Sequence, residues 1–263
     1  GYMLLDNNDI LSSEGISCYL DKKMDIYAYK TIDSTNTQMK KFAVDNHVDY
    51  ALIVAEHQSA GRGRFNRVFY SPEKQGIYMS LLLRYNQTFN DATLITIQSA
   101  VAIKRVIKKL CGIDTKIKWV NDLYYQGKKI CGILTEAISD FESGMIEAII
   151  IGIGINVSTK QFPEELLDKA TSLGIENINR SKFIALIVNE ILKIIDEDFN
   201  NVLNEYKDAS CVLNKKVEFR YKGQIYNGIA KDINNLGNLI VKCDNQEYTL
   251  NSGEVSIIQK NYE

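Results

Sequence analysis

Histidine is scarce in this sequence of 263 residues: His47 and His57 are the only two, which leaves no material for a histidine-based triad or a histidine-rich metal centre. Cysteine offers no framework either. Cys18, Cys111, Cys131, Cys211 and Cys243 are odd in number, scattered and without a CxxC pair. Neither a zinc site nor a set of disulfides is expected, and the usage fits a reducing, cytoplasmic setting. A large excess of one charge is missing too. The formal net charge is −2, which argues against a surface built to hold a polyanion. The longest apolar run, AIIIGIGINV (148–157), falls well short of the roughly 20 residues of a membrane helix, and no signal-peptide pattern is visible. A GxxxxGK[ST] loop and a correctly spaced dinucleotide fingerprint are both lacking.

What is present is ordinary in bulk. Hydrophobic residues make up 45% and charged residues 24%, in a length that suits one large domain or a large and a small one. IYAYKTID (26–33) reads as a strand. STNTQMKKFAVDN, next to it, starts with hydroxyl caps and carries Met39, Phe42 and Ala43 at helical spacing. Apolar runs over 50–56 and 76–84 predict two more strands. Residues 91–112 have the acidic start, basic last turn and glycine stop of a helix. Between 115 and 157, three or four strand-like runs are separated only by short turn material at Asn121-Asp122, Gln126-Gly127 and 140–144. Connections that short make antiparallel hairpins, whereas a parallel sheet needs helical crossovers. Residues 180–208 predict a long amphipathic helix, broken once. From Val212 the composition shifts to about five short strands with Gly, Asn and Asp turns, read as a small closed β-barrel.

Three stretches could carry chemistry. The loop GRGRFNR (61–67) packs three arginines onto a glycine-rich backbone between two strands. Gly61 and Gly63 would let amides approach a ligand closely, and the forked arginine donors match carboxylate and phosphate oxygens. With the low net charge, this points to a small anionic ligand. In KIKWVNDLYYQGKKICGILTE (116–136), alternation puts Ile117 and Trp119 on one face and Lys118 on the other. Asn121 and Asp122 fall at a turn, and Lys129 lies on the returning strand with Gly132 leaving space beside it. DSTN (33–36) sets hydroxyl and amide groups where a strand enters a helix, as an N-cap or as readers of a neutral polar ring. Asn156 ends a strand, either as a turn residue or as a reader of adenine.

Taken together and in order, IDSTN, QSAGRGRFNRVF, KWVNDLYYQGKKICGILTE, GIGINV and NSGEVSI resemble the motifs of the biotin protein ligases, from about residue 26 onward. There are departures. Asn66 stands where the family usually has glycine, Phe69 where it has tryptophan, and Val120 where it has proline. Asparagine tolerates left-handed backbone, Phe69 keeps an aromatic wall, and no charged group is lost.

The resemblance implies an α+β fold: a class II aminoacyl-tRNA synthetase-like mixed or antiparallel sheet with helices over 26–211, and an SH3-like β-barrel over 212–263. Residues 1–25 resemble a linker or the remnant of an N-terminal winged-helix head. A longer chain with that head restored would bind DNA and repress biotin operons. The implied reaction joins biotin to ATP as biotinyl-5′-AMP, with Mg2+ accompanying the ATP. It then transfers the biotinyl group to a lysine of a biotin carboxyl carrier protein domain. Carried over residue by residue, Ser34, Thr35, Asn36 and Gln58 would bind the biotin ring system. Arg62, Gly63, Arg64 and Lys129 would hold its carboxylate and then the acyl phosphate. Arg67, Asn121 and Asn156 would contact the nucleotide, and Asp122 would position either magnesium or the acceptor amine. No protein-bound metal is implied. A homodimer is expected, in the cytoplasm and off the membrane. Lipoate and octanoyl ligases share the fold but carry a different glycine-rich motif, which has no equivalent here.

Overall fold

The computed structural model describes residues 9–84, 92–139, 146–244 and 246–258. Apolar alternation and short turns build one mixed sheet of seven strands: β1 (Asp25–Ile32), β2 (Tyr50–Gln58), β3 (Gly76–Leu83), β4 (Lys116–Lys118), β5 (Asp122–Tyr125), β6 (Lys128–Ser139) and β7 (Ile146–Asn156). Their order is β1-β2-β3-β7-β6-β5-β4. β1 and β2 run parallel, and the other neighbouring pairs are antiparallel, as the hairpin spacing predicts.

The helices are α1 (Ser13–Ser17), α2 (Thr35–Asp45), α3 (Ala92–Cys111), α4 (Arg180–Ile194) and α5 (Phe199–Ala209). The expected glycine stop of α3 is Gly112, whose φ of 69° is the left-handed conformation that closes a helix. The predicted break of the 180–208 helix falls between α4 and α5, where Asp198 caps α5 by accepting from the Asn200 amide. The acidic start of α3 at Asp91, the 140–144 turn and residues 1–8 lie outside the described residues.

Both faces of the sheet are covered, unequally. α3 and α4 bury Leu52, Val54, Met79, Leu81, Ile149, Ile151, Ile153 and Ile155 on one face. Arg105 pins this layer by reaching Glu190, Glu197 and Glu205 at 3.0, 3.0 and 2.8 Å. On the other face the shorter α2 lays Met39 and Ala43 on Ala51, Ile53, Leu82, Ala148 and Ile150. Strand β7 shows why α2 stops where it does. Successive side chains alternate between faces, so the residues following Ala148 and Ile150 on the α2 side are Gly152 and Gly154. Beyond the start of α2, β7 therefore gives this face of the sheet a strip of floor without side chains.

A second sheet follows: β8 (Lys216–Tyr221), β9 (Gln224–Ile233), β10 (Leu239–Cys243), β11 (Gln246–Leu250) and β12 (Val255–Ile257), in the order β11-β10-β9-β8-β12, all antiparallel. The five strands match the expectation, but the closure does not. β12 has three residues and pairs with β8, and no ladder joins it to β11 among the described residues, so hydrogen bonding leaves the sheet open. Val217, Phe219, Leu239 and Val241 belong to the same apolar core as the larger sheet. The Trp119 indole also donates to the Gly237 carbonyl at 2.9 Å. Near the N-terminus, buried Arg180 binds Asp9 and Glu56, each at 2.6 Å, and the Ser181 hydroxyl donates to the Ile10 carbonyl. The part of the expected linker from Asp9 onward is thus held against α4.

Candidate functional site

Over the glycine floor lies a cavity of about 420 Å3, a size typical of small-molecule sites. One end is neutral and polar. Ser34 caps α2, so the chain turns from strand into helix there and brings Ser34, Thr35 and Asn36 to the cavity wall. Gln58, at the end of β2, accepts from the Thr35 amide at 2.9 Å and donates to the Ser71 hydroxyl at 2.9 Å. Ser80 donates to the Asn36 side-chain oxygen, and its hydroxyl lies 2.8 Å from that of Thr35. Asn36 in turn donates to Glu136 at 3.0 Å, and Glu136 takes Lys40 at 2.7 Å. Burial alone would raise the Glu136 carboxyl, but the hydrogen bonds from Lys40 and Asn36 bring it below its ordinary value. The expected ring-binding residues are therefore brought together, and their orientations are fixed by Ser71, Ser80 and Glu136. Ser80 was legible only as a lone hydroxyl in GIYMSLLLR, and Glu136 as the last residue of its motif.

The other end is cationic. The GRGRFNR loop makes a single 3-10 turn over Arg64–Asn66, in which Phe65 and Asn66 both take left-handed backbone, with φ of 55° and 57°. Asn66 thus adopts the conformation that its substitution for glycine predicts. Arg62, Arg64 and Arg67 all line the cavity. Arg64 is partly buried and donates to the Asn121 side-chain oxygen at 3.0 Å, while Asn121 donates to the Ile133 carbonyl at 2.8 Å. Burial draws the Arg64 guanidinium below its ordinary value against the opposing pull of Asp122 and Glu254. Arg67 makes a forked pair with Glu254, just before β12, at 2.8 and 2.6 Å. That hydrogen-bonded pairing raises Arg67 and lowers Glu254.

Some placements differ from the expectation. Gly61 serves the chain itself: a Cβ there would lie 2.5 Å from the Phe69 carbonyl oxygen and 2.8 Å from the Ser71 hydroxyl. Gly63 does line the cavity, with an ordinary negative φ of −117°. The Phe69 ring lies on the floor, where a Cβ on Gly154 would come within 2.4 Å of it and one on Gly132 within 3.3 Å.

The hairpin completes the site. Cross-strand register puts Lys118, Asp122, Gly132 and Gly154 in one row, on the same face. The turn spans 119–121 and Asp122 is already the first residue of β5, which aims its carboxylate across the sheet. Lys129 Nζ lies 2.7 Å from Asp122 Oδ1. This is an ion-pair contact whose alignment is not that of a hydrogen bond, so Oδ1 stays buried with no hydrogen-bond partner. Asn156 is the exception among the expected residues. It ends β7 next in line after Gly154, but it is buried, donates to the Thr171 carbonyl at 3.1 Å and does not line the cavity. The segment after β7 covers it, and Leu166, Lys169 and Ala170 of that segment form part of the wall instead. The Asn156 side-chain oxygen has no hydrogen-bond partner.

Comparisons with known proteins agree on one group. Residues 28–156 match the Biotin/lipoate A/B protein ligase family, and residues 212–257 match the Biotin protein ligase C terminal domain. The bifunctional ligase/repressor BirA of Bacillus subtilis is 39% identical over 178 residues, which are 66% of this chain and 54% of that protein. The chain thus spans about half the length of that relative. BirA of Escherichia coli is 27% identical, with 98% of this chain and 81% of that protein covered. Among solved structures, the biotin protein ligase from Aquifex aeolicus in complex with biotin and ATP superposes with a TM-score of 0.77 at 25% identity, covering 90% of this chain and 99% of that one.

Proposed function

Because the chain belongs to the biotin protein ligase family, we propose that it activates biotin with ATP as biotinyl-5′-AMP and passes the biotinyl group to a lysine of a biotin carboxyl carrier protein domain. One observation carries this reading. A single cavity holds a neutral hydrogen-bonding network at one end and Arg62, Arg64 and Lys129 at the other. That polarity matches a molecule with an uncharged ureido ring and a carboxylate tail that must meet a phosphate.

In the first step a carboxylate oxygen of biotin forms a bond to the α-phosphorus. The bond from that phosphorus to the oxygen bridging the β-phosphate breaks, and pyrophosphate leaves. Two anions must be brought together for this. Arg62 and Arg64, with the Gly63 backbone, offset their repulsion and hold the acyl phosphate, and Lys129 acts on the same oxygens. Ser34, Thr35, Asn36 and Gln58 orient the ring, already fixed by their protein partners, so little ordering is left for the ligand to impose. Arg67 acts on the nucleotide after exchanging Glu254 for it, Asn121 does so while keeping its bond to Arg64, and Asn156, covered by the segment after β7, does so by giving up Thr171. In the second step the amine nitrogen of the acceptor lysine attacks the acyl carbon, AMP leaves, and the amine loses a proton.

Asp122 Oδ1, buried and without a hydrogen bond, suits either magnesium arriving with ATP or the incoming amine. Among the described residues no cluster of three or more His, Cys, Asp or Glu side chains could hold a metal alone. We take the larger sheet to be of the class II aminoacyl-tRNA synthetase type over 26–211, and the smaller one to be an SH3-like module over 212–263. We further take the protein to act as a cytoplasmic homodimer, and to bind DNA only with a winged-helix head restored. No helix among the described residues is long and apolar enough to cross a membrane.

The test mixes the protein with MgATP and either labelled biotin or labelled lipoate, then adds an apo carrier domain. The proposal expects biotinyl-AMP by mass spectrometry and biotin on the carrier. Lipoyl-AMP in preference to biotinyl-AMP, or no adenylate at all, would refute it.

A further inference from the structure

The hydrogens on the neutral wall of the main cavity can be placed one after another, starting from Asn36. Its side-chain amide lies 3.2 Å from the Leu134 carbonyl and 3.0 Å from the Glu136 carboxylate, which is itself paired with Lys40. A carbonyl and an ionised carboxylate only accept, so both amide hydrogens of Asn36 go to them. The Asn36 oxygen is thereby turned toward Ser80, a fully buried residue of β3.

Ser80 has one hydrogen to give, and the Asn36 oxygen can only receive it. At the 2.8 Å contact between the Ser80 and Thr35 hydroxyls, Thr35 must then be the donor. The alternative acceptor, the Gln58 side-chain oxygen, is farther off at 3.2 Å and already holds the Thr35 amide. Thr35 also has a single hydrogen. With that hydrogen committed to Ser80, its oxygen presents only lone pairs to the cavity. Gln58 is fixed in the opposite sense. Its oxygen accepts from the Thr35 amide, and one of its amide hydrogens goes to Ser71, whose own hydroxyl donates to the Phe69 carbonyl. The second amide hydrogen of Gln58 is left for a ligand.

Resting on the reading of the main cavity as a biotin site, we propose that Ser80 makes this wall selective for a ring that carries N–H groups, by holding the Thr35 hydroxyl in its accepting sense. Ser80 does not line the cavity, so it is a positioning residue that acts through Thr35. An acceptor at Thr35 beside a donor at Gln58 complements a ureido edge, where an N–H stands next to a C=O. A dithiolane ring, as in lipoate, has no N–H and would leave the Thr35 oxygen desolvated and unpaired, a larger penalty than the loss of one contact between apolar groups. The preference is thus written in buried side chains behind the wall as well as in those that touch the ring.

The experiment measures biotin Kd by titration calorimetry, and KM and kcat for biotin-dependent AMP formation. It compares the wild-type chain with Ser80→Ala, Thr35→Val and their double variant, with urea unfolding as a check that each is folded. Ser80→Ala frees the Thr35 hydrogen to turn into the cavity, so biotin Kd and KM are expected to rise about fivefold with kcat held within about twofold. Thr35→Val removes the acceptor itself and should weaken biotin at least as much. Because Ser80 acts only through Thr35, the double variant should bind biotin no worse than Thr35→Val, whereas a packing role would multiply the two losses. Ser80→Cys keeps a side chain in place but is a poor hydrogen-bonding group; it should shift biotin Kd in the same direction, and it carries the test if Ser80→Ala does not fold. Biotin Kd unchanged in the folded Ser80 variants, or losses that multiply in the double variant, would overturn the proposal. A wild-type chain that binds no biotin would instead remove the underlying reading, a separate and recognisable failure.

Discussion

Replacing Asn121 by alanine isolates the contact that holds the arginine loop over its ligand. The Asn121 oxygen accepts from Arg64 at 3.0 Å while its amide is tied to the Ile133 carbonyl, so the side chain is a rigid bracket between hairpin and loop. A hydrogen bond to a charged group contributes about 1.5–3 kcal/mol net. Arg64 keeps some contact with water, which puts the loss near the lower figure, about 1.5 kcal/mol or roughly tenfold in rate. Asn121→Ala is therefore expected to slow pyrophosphate release about tenfold at saturating biotin and ATP. It should also let biotinyl-AMP escape, read as biotin on a bystander such as serum albumin. The two assays separate chemistry from retention. If Asn121→Ala matches wild type within twofold in both, while Arg64→Gly does not, Arg64 needs no bracket and the reasoning about the loop is wrong.

Arg64→Gly itself should release the adenylate and label bystander proteins; full retention would contradict its role. Lys129→Ala should abolish adenylate formation and leave Asp122 without its ion pair, and wild-type pyrophosphate release would refute the assignment. Gly154→Ala puts a Cβ 2.4 Å from the Phe69 ring, so it should lower stability by about 1–3 kcal/mol and weaken biotin binding, checked by urea unfolding and titration calorimetry. Glu136 has a folded carboxyl below its ordinary 4.5, so its contribution to stability is present above that pH and lost as pH falls through the lower folded value. Glu136→Gln should flatten that stretch of the curve of stability against pH, and an unchanged acid limb would show that the network around Asn36 does not depend on its charge.

The hairpins, the helix stop at Gly112 and the break between α4 and α5 were all legible, because turn spacing, glycine and periodicity are local signals. Most of the residues that line the cavity were legible too, but their partners were not. Asn36 meets Glu136 a hundred positions away, and Arg67 meets Glu254 across 187. No local pattern encodes contacts that only the sheet order creates. For the same reason Asn121 gave no sign of being a bracket for Arg64. The cover over Asn156 was hidden in a different way. The place of Asn156 at the end of GIGIN does point toward the floor, but an irregular segment with no periodic signature folds over it. The floor itself was written in the sequence all along, as glycines alternating with isoleucine in β7. Gly152 and Gly154 acquire meaning only once Asn36 and Phe69 are seen above them.

The most direct measurement is a crystal structure with a non-hydrolysable biotinyl-adenylate analogue. The account predicts the ring against Ser34–Asn36 and Gln58, the acyl phosphate within hydrogen-bonding distance of Arg62, Arg64 and Lys129, and Phe69 on its glycine floor. An analogue bound elsewhere, with those guanidinium groups turned to solvent, would contradict it.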